Sequence, residues 1–62
     1  MTIAEQLKKQ REKCMLSPQE LATKAGLNID TIKRIENGKN PNPTVYVIRV
    51  LGKSLNNYKF DL

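Results

Sequence analysis

A chain of 62 residues has room for one small domain, residues 1–62, and a domain of that size buries only about 60% of its unfolded surface, so a deep catalytic pocket is not expected. It contains no histidine and one cysteine, Cys14, which excludes Cys/His zinc sites, histidine-based triads and an intrachain disulfide. Eleven Lys and Arg against six Asp and Glu leave a net charge of +5, which favours a polyanionic partner, nucleic acid ahead of an acidic protein or a membrane surface.

Thr2-Ile3-Ala4-Glu5 has the form of a capping box, with Thr2 at the N-cap and Glu5 reaching back from the third helical position. Ile3 and Leu7 then fall one turn apart, with Lys8, Lys9, Arg11 and Lys13 around them, which predicts a helix over 3–13. Ser17-Pro18-Gln19-Glu20 is a second capping box, with Pro18 at the first helical position, where its fixed φ is an advantage. Leu21, Ala22 and Ala25 form its apolar stripe and Gly26 stops it, giving a helix over 18–25. Asn28 is a suitable N-cap for a third helix over 29–37, which buries Ile32 and Ile35 and ends at Asn37-Gly38.

Beyond Gly38 the signals compete. Lys39-Asn40-Pro41-Asn42-Pro43 is a loop. On propensity Thr44 to Leu51 reads as a strand, yet Val45, Ile48 and Leu51 also share one helical face and Thr44 can cap it. Its four-residue apolar run, Val45 to Ile48, is the longest in the chain and is far too short to span a membrane. In the last stretch Tyr58, Phe60 and Leu62 alternate with Lys59 and Asp61, a period of two that suggests an extended segment, with a short fifth helix as the alternative. Tyr46, Tyr58 and Phe60 are the only aromatics, too few for a platform that stacks single-stranded bases.

Pro18 to Asn37 resembles the helix-turn-helix of the Cro/CI-type (XRE-type) DNA-binding family. The family's 20-residue motif wants a small residue at its fifth position, glycine at its ninth and aliphatic residues at its fifteenth and eighteenth; here these are Ala22, Gly26, Ile32 and Ile35. Leu16-Ser17 enters the motif as in that family, and Ile35-Glu36-Asn37-Gly38-Lys39 is close to its exit. The resemblance covers about residues 3 to 55 and implies an all-α, lambda-repressor-like domain of four to five helices, with or without a short extended segment at its C-terminus. It favours a helix over 44–51, one turn shorter than usual because the interval from Glu36 to Gly52 is short.

The resemblance also implies roles for single residues. Base readers would be Ile29, Asp30 and Arg34, the first, second and sixth residues of the third helix, with Lys33 at a base edge or a phosphate. The Arg34 fork matches guanine O6 and N7; Asp30 can accept from cytosine N4 or simply complement the helix dipole; Ile29 offers apolar contact, as to a thymine methyl. Asn28, Asn37 and Lys39 would hold phosphates. Arg11 would pair with Glu36 and lean toward a phosphate. Two positions depart from the pattern. Pro18 replaces the family's phosphate-binding Gln, leaving Gln19, about 100° further round the helix, as the candidate. Met15 occupies a left-handed site that the family gives to Gly.

The function expected is a sequence-specific, double-stranded-DNA-binding transcriptional regulator, a repressor, that reads the major groove with helix 29–37, with no enzyme activity and no cofactor. The alternatives are the DNA-binding antitoxin of a toxin–antitoxin pair, which would bring a toxin or other regulator as partner protein, and a helix-turn-helix protein-interaction module. The expected location is the cytoplasm of a bacterium or phage host, at the nucleoid; the lone thiol fits a reducing compartment. One such domain contacts few bases, so a homodimer is expected, with residues 55–62 contributing an intermolecular β-pair or packing onto the fourth helix. The other possibility is that they cap the domain's own core.

Overall fold

A computed structural model describes all 62 residues. Four helices follow in order: α1 Ile3–Lys13, α2 Pro18–Ala25, α3 Ile29–Glu36 and α4 Val45–Ser54. No strand is present, and no helix is long and apolar enough to cross a membrane.

Both capping boxes form. The Thr2 hydroxyl accepts from the Glu5 amide at 3.1 Å while the Glu5 carboxylate accepts from the Thr2 amide at 3.1 Å. Ser17 and Glu20 repeat the exchange at 3.1 and 2.8 Å, so two otherwise orphaned amides are satisfied at the start of each helix. Asn28 caps α3 by accepting from the Asp30 amide at 2.8 Å. Thr44 caps α4, accepting from the Val47 amide at 3.2 Å. That cap, and the buried side of α4, resolve the segment with strand propensity as a helix. Tertiary burial of Leu51 outweighs β-branched preference. α4 also runs three residues past the expected end at 51.

Every helix is followed by a left-handed backbone: Met15 at φ 58°, Gly26 at 70°, Gly38 at 82°, and Asn56 and Asn57 at 59° and 60°. At Gly26 the Leu27 amide turns back to the Ala22 carbonyl at 2.9 Å, a tight exit that aims α3 across α2. Met15 makes the same kind of exit from α1, with the Leu16 amide reaching the Arg11 carbonyl at 3.1 Å.

α2 packs on α3, α1 on α3, and α4 on α2. They enclose a core of Leu7, Leu21, Ala22, Ile32, Ile35, Leu51 and Leu55, all at most 2% exposed. Fully burying one such Leu or Ile stabilises by about 1.5–3 kcal/mol. Ala22 sits where α2 meets α3, and its methyl lets the two helices approach closely.

The C-terminal segment, residues 58–62, is neither helix nor strand. It is fastened instead by Gln6, which is 1% exposed. The Gln6 side-chain oxygen accepts from the Tyr58 hydroxyl at 2.8 Å and the Asp61 amide at 2.7 Å. Its amide nitrogen donates to the Met1 and Asp61 carbonyls at 3.1 and 2.9 Å. The alternation of Tyr58, Phe60 and Leu62 therefore does not place the three on one surface. Tyr58 and Phe60 pack against the domain's own core, whereas Leu62, at 85% exposure, turns to a different groove.

Candidate nucleic-acid interface

α3 divides cleanly into two faces. Ile32 and Ile35 are buried, and Asp30, Lys33, Arg34 and Asn37 are exposed. The spacing 30, 33, 34, 37 is i, i+3, i+4, i+7, so all four line one stripe pointing away from the core. Lys39 is exposed just beyond the helix end. Its backbone amide donates to the Asn37 side-chain oxygen at 2.9 Å, which rigidifies the turn that would present it. The structure has one ion pair, between Arg11 and Glu36, so Lys33, Arg34 and Lys39 face solvent without a carboxylate partner.

That ion pair anchors the stripe from behind. Arg11 Nε donates to Glu36 Oε2 at 2.7 Å and Nη2 to Oε1 at 3.1 Å, a bidentate fork between α1 and the last residue of α3. Nη1 donates to the Leu16 carbonyl at 2.8 Å, so the same guanidinium fixes the loop that leads into α2. The hydrogen bond to Glu36 raises the Arg11 pKa further, so it holds its charge at any relevant pH. At 9% exposure Arg11 has little surface left for another ligand.

The remaining candidates are placed as follows. Ile29 is half-buried and packs on the core, so only part of its side chain is available to a ligand. Asn28 is exposed with its oxygen engaged in the cap, which leaves its amide nitrogen free to donate outward. Gln19 is exposed on α2, where its side chain donates to the Thr23 hydroxyl at 3.3 Å. Gln6 escaped the sequence reading. The available signal was a polar residue beside the Ile3–Leu7 stripe, where a helix that buries that stripe also buries it.

A helix-turn-helix family model matches residues 7–57, most of the chain. This chain belongs to the Cro/CI-type helix-turn-helix family of DNA-binding regulators. No curated protein and no solved structure matches it. In this Cro/CI-type domain the motif from Pro18 to Asn37 is therefore α2, the Gly26 turn and α3, and the exposed stripe of α3 is its candidate DNA-facing surface.

Proposed function

We propose that residues 1–62 act as one sequence-specific duplex-DNA-binding domain that represses transcription by occupying its operator, with α3 in the major groove. The observation that carries this reading is the stripe of Asp30, Lys33, Arg34 and Asn37 on a helix whose other side is locked into the core. Arg34 is assigned to guanine, Asp30 to cytosine N4, and the exposed part of Ile29 to a thymine methyl. Lys33, Lys39, Asn28, Asn37 and Gln19 are assigned to phosphates, which fix register without reading sequence. Arg11 acts chiefly by holding α3 in place through Glu36, because its guanidinium is already covered and committed.

Selectivity requires two copies with recognition helices about 34 Å apart on the duplex. The surface that supports a dimer is a groove of about 620 Å³ near the end of α3. Met1, Val45 and Leu62 line it, and each is at least 70% exposed. The antitoxin reading, in which a C-terminal strand pairs across a dimer, has less support, because Gln6 already engages both backbone groups of Asp61.

The test is fluorescence anisotropy on a duplex selected from a random pool, against a scrambled duplex. Arg34→Ala is expected to cost about 1–3 kcal/mol on the selected site and little on the scrambled one. An unchanged ratio between the two duplexes overturns the assignment of α3 as the reading element.

A further inference from the structure

Three cations frame a second groove that takes no residue from α2 or α3. Arg49 and Lys53 stand one turn apart on the exposed side of α4, and Lys59 follows from the C-terminal segment. Between them lies a shallow depression of about 370 Å³ lined by the half-buried Ile48 and Phe60, with the exposed Val45 at its edge. No carboxylate lines it, and the ion pair of the structure lies elsewhere, so all three charges are without an internal partner.

The wall of this groove is fixed before anything binds. Gly52 lets the C-terminal segment lie directly on α4, since a Cβ there would run into the Tyr58 carbonyl. The Tyr58 amide donates to the Gly52 carbonyl at 3.0 Å. Tyr58 and Phe60 meet edge to face with ring centroids 4.9 Å apart, and the Tyr58 hydroxyl is tied to buried Gln6. A preformed apolar floor with a basic rim costs little to order on binding.

We propose that this groove docks an acidic segment of another protein, carrying aliphatic or aromatic anchors for Val45, Ile48 and Phe60 and carboxylates for Arg49, Lys53 and Lys59. Charge complementarity selects the carboxylates, and the apolar floor selects a peptide over a phosphate backbone, which would meet the cations yet leave the floor wet. The groove takes nothing from the exposed stripe of α3 but shares Val45 and Ile48 with the groove near the end of α3, so the peptide leaves α3 free and competes with a second copy for that edge of α4. The proposal does not depend on the DNA reading.

The experiment is a titration of the ¹⁵N-labelled full chain with a synthetic peptide of roughly 14 residues, rich in Glu and with Leu and Phe at helical spacing. A matched peptide with Ser in place of Leu and Phe is the control. Shifts are expected at the amides of Val45, Ile48, Lys59 and Phe60, with the anchored peptide at least about tenfold tighter than its control. Arg49→Glu with Lys53→Glu is expected to weaken binding by about tenfold or more, whereas Lys33→Ala with Arg34→Ala leaves it unchanged. Both substituted positions on α4 are exposed, and the amide spectrum checks that the variant stays folded. If charge reversal unfolds it, Arg49→Gln with Lys53→Gln serves in its place. Equal affinity for the two peptides, shifts centred on Ile29–Asn37, or no binding overturns the proposal. A short duplex that shifts the same α4 amides more strongly than the peptide also overturns it, and makes the surface a nucleic-acid contact.

Discussion

Met15 holds a backbone that suits glycine, at φ 58°, with its side chain 89% exposed. A left-handed conformation costs an L-residue about 1–2 kcal/mol, and the exposed thioether recovers little of it by packing. Met15→Gly removes that strain but adds freedom to the unfolded chain, which offsets about 0.4–1 kcal/mol. The net expectation is a stabilisation of about 0.5–1 kcal/mol, seen as a melting temperature higher by about 2–8 °C in circular dichroism. A lower melting temperature would mean that Met15 makes contacts worth more than its strain. At the same scale, Arg11 shows why a charged residue can be structural: one guanidinium joins α1, the Leu16 carbonyl and α3.

At the level of elements, the caps carry a pH dependence. The Glu5 and Glu20 carboxylates are held below their ordinary value of 4.5, first by the backbone amides of Thr2 and Ser17 and then by the hydroxyls of the same residues. A depressed folded-state pKa contributes stability that is present above the unfolded value and lost as pH falls through the folded one. The urea midpoint is therefore expected to decline as pH drops below about 4.5, the value these groups regain on unfolding. Glu20→Gln keeps the cap geometry without a titrating group, so it should flatten part of that decline; an unchanged profile would remove the cap from the acid response. The C-terminal segment depends on a different device. Gln6→Leu keeps the buried volume but leaves the Tyr58 hydroxyl and the Asp61 backbone without their partner. A loss of about 1–3 kcal/mol is expected. Hydrogen exchange should accelerate at Tyr58 to Leu62 and not in α2 or α3, and uniform acceleration would show that the segment does not open by itself.

For the whole molecule the net charge of +5 and the apolar groove near α3 make separate forecasts. With Lys33 and Lys39 on phosphates in each of two copies, about four phosphates are neutralised, so log affinity should fall against log salt with a slope near −4. Lys39→Ala should reduce that slope by about two while weakening selected and scrambled duplexes alike. Val45→Glu places a charge in the groove lined by Met1 and Leu62 and should abolish dimers in sedimentation velocity while the fold persists, because Val45 is 70% exposed. A wild-type chain that remains monomeric both free and on DNA would refute the dimer.

Much of this was legible in the sequence because its signals are local. Two capping boxes, Pro18, Gly26 and the apolar spacing of Ile32 and Ile35 each act within a turn or two of helix, and α1, α2 and α3 begin where they indicate. The exposed stripe of α3 follows from the same spacing, since burying the two isoleucines leaves one direction for Lys33 and Arg34. What the sequence left open depended on distant partners. Thr44 to Leu51 carries strand propensity, and it is helical because Leu51 is buried in the core alongside α2, a contact no local pattern encodes. The alternation of Tyr58, Phe60 and Leu62 gives no hint that Gln6, 55 residues away from Asp61, supplies the hydrogen bonds a neighbouring strand would have made. A side chain folded back from α1 satisfies that backbone, and so the tertiary structure, not the period of the sequence, decides that the segment closes on its own domain.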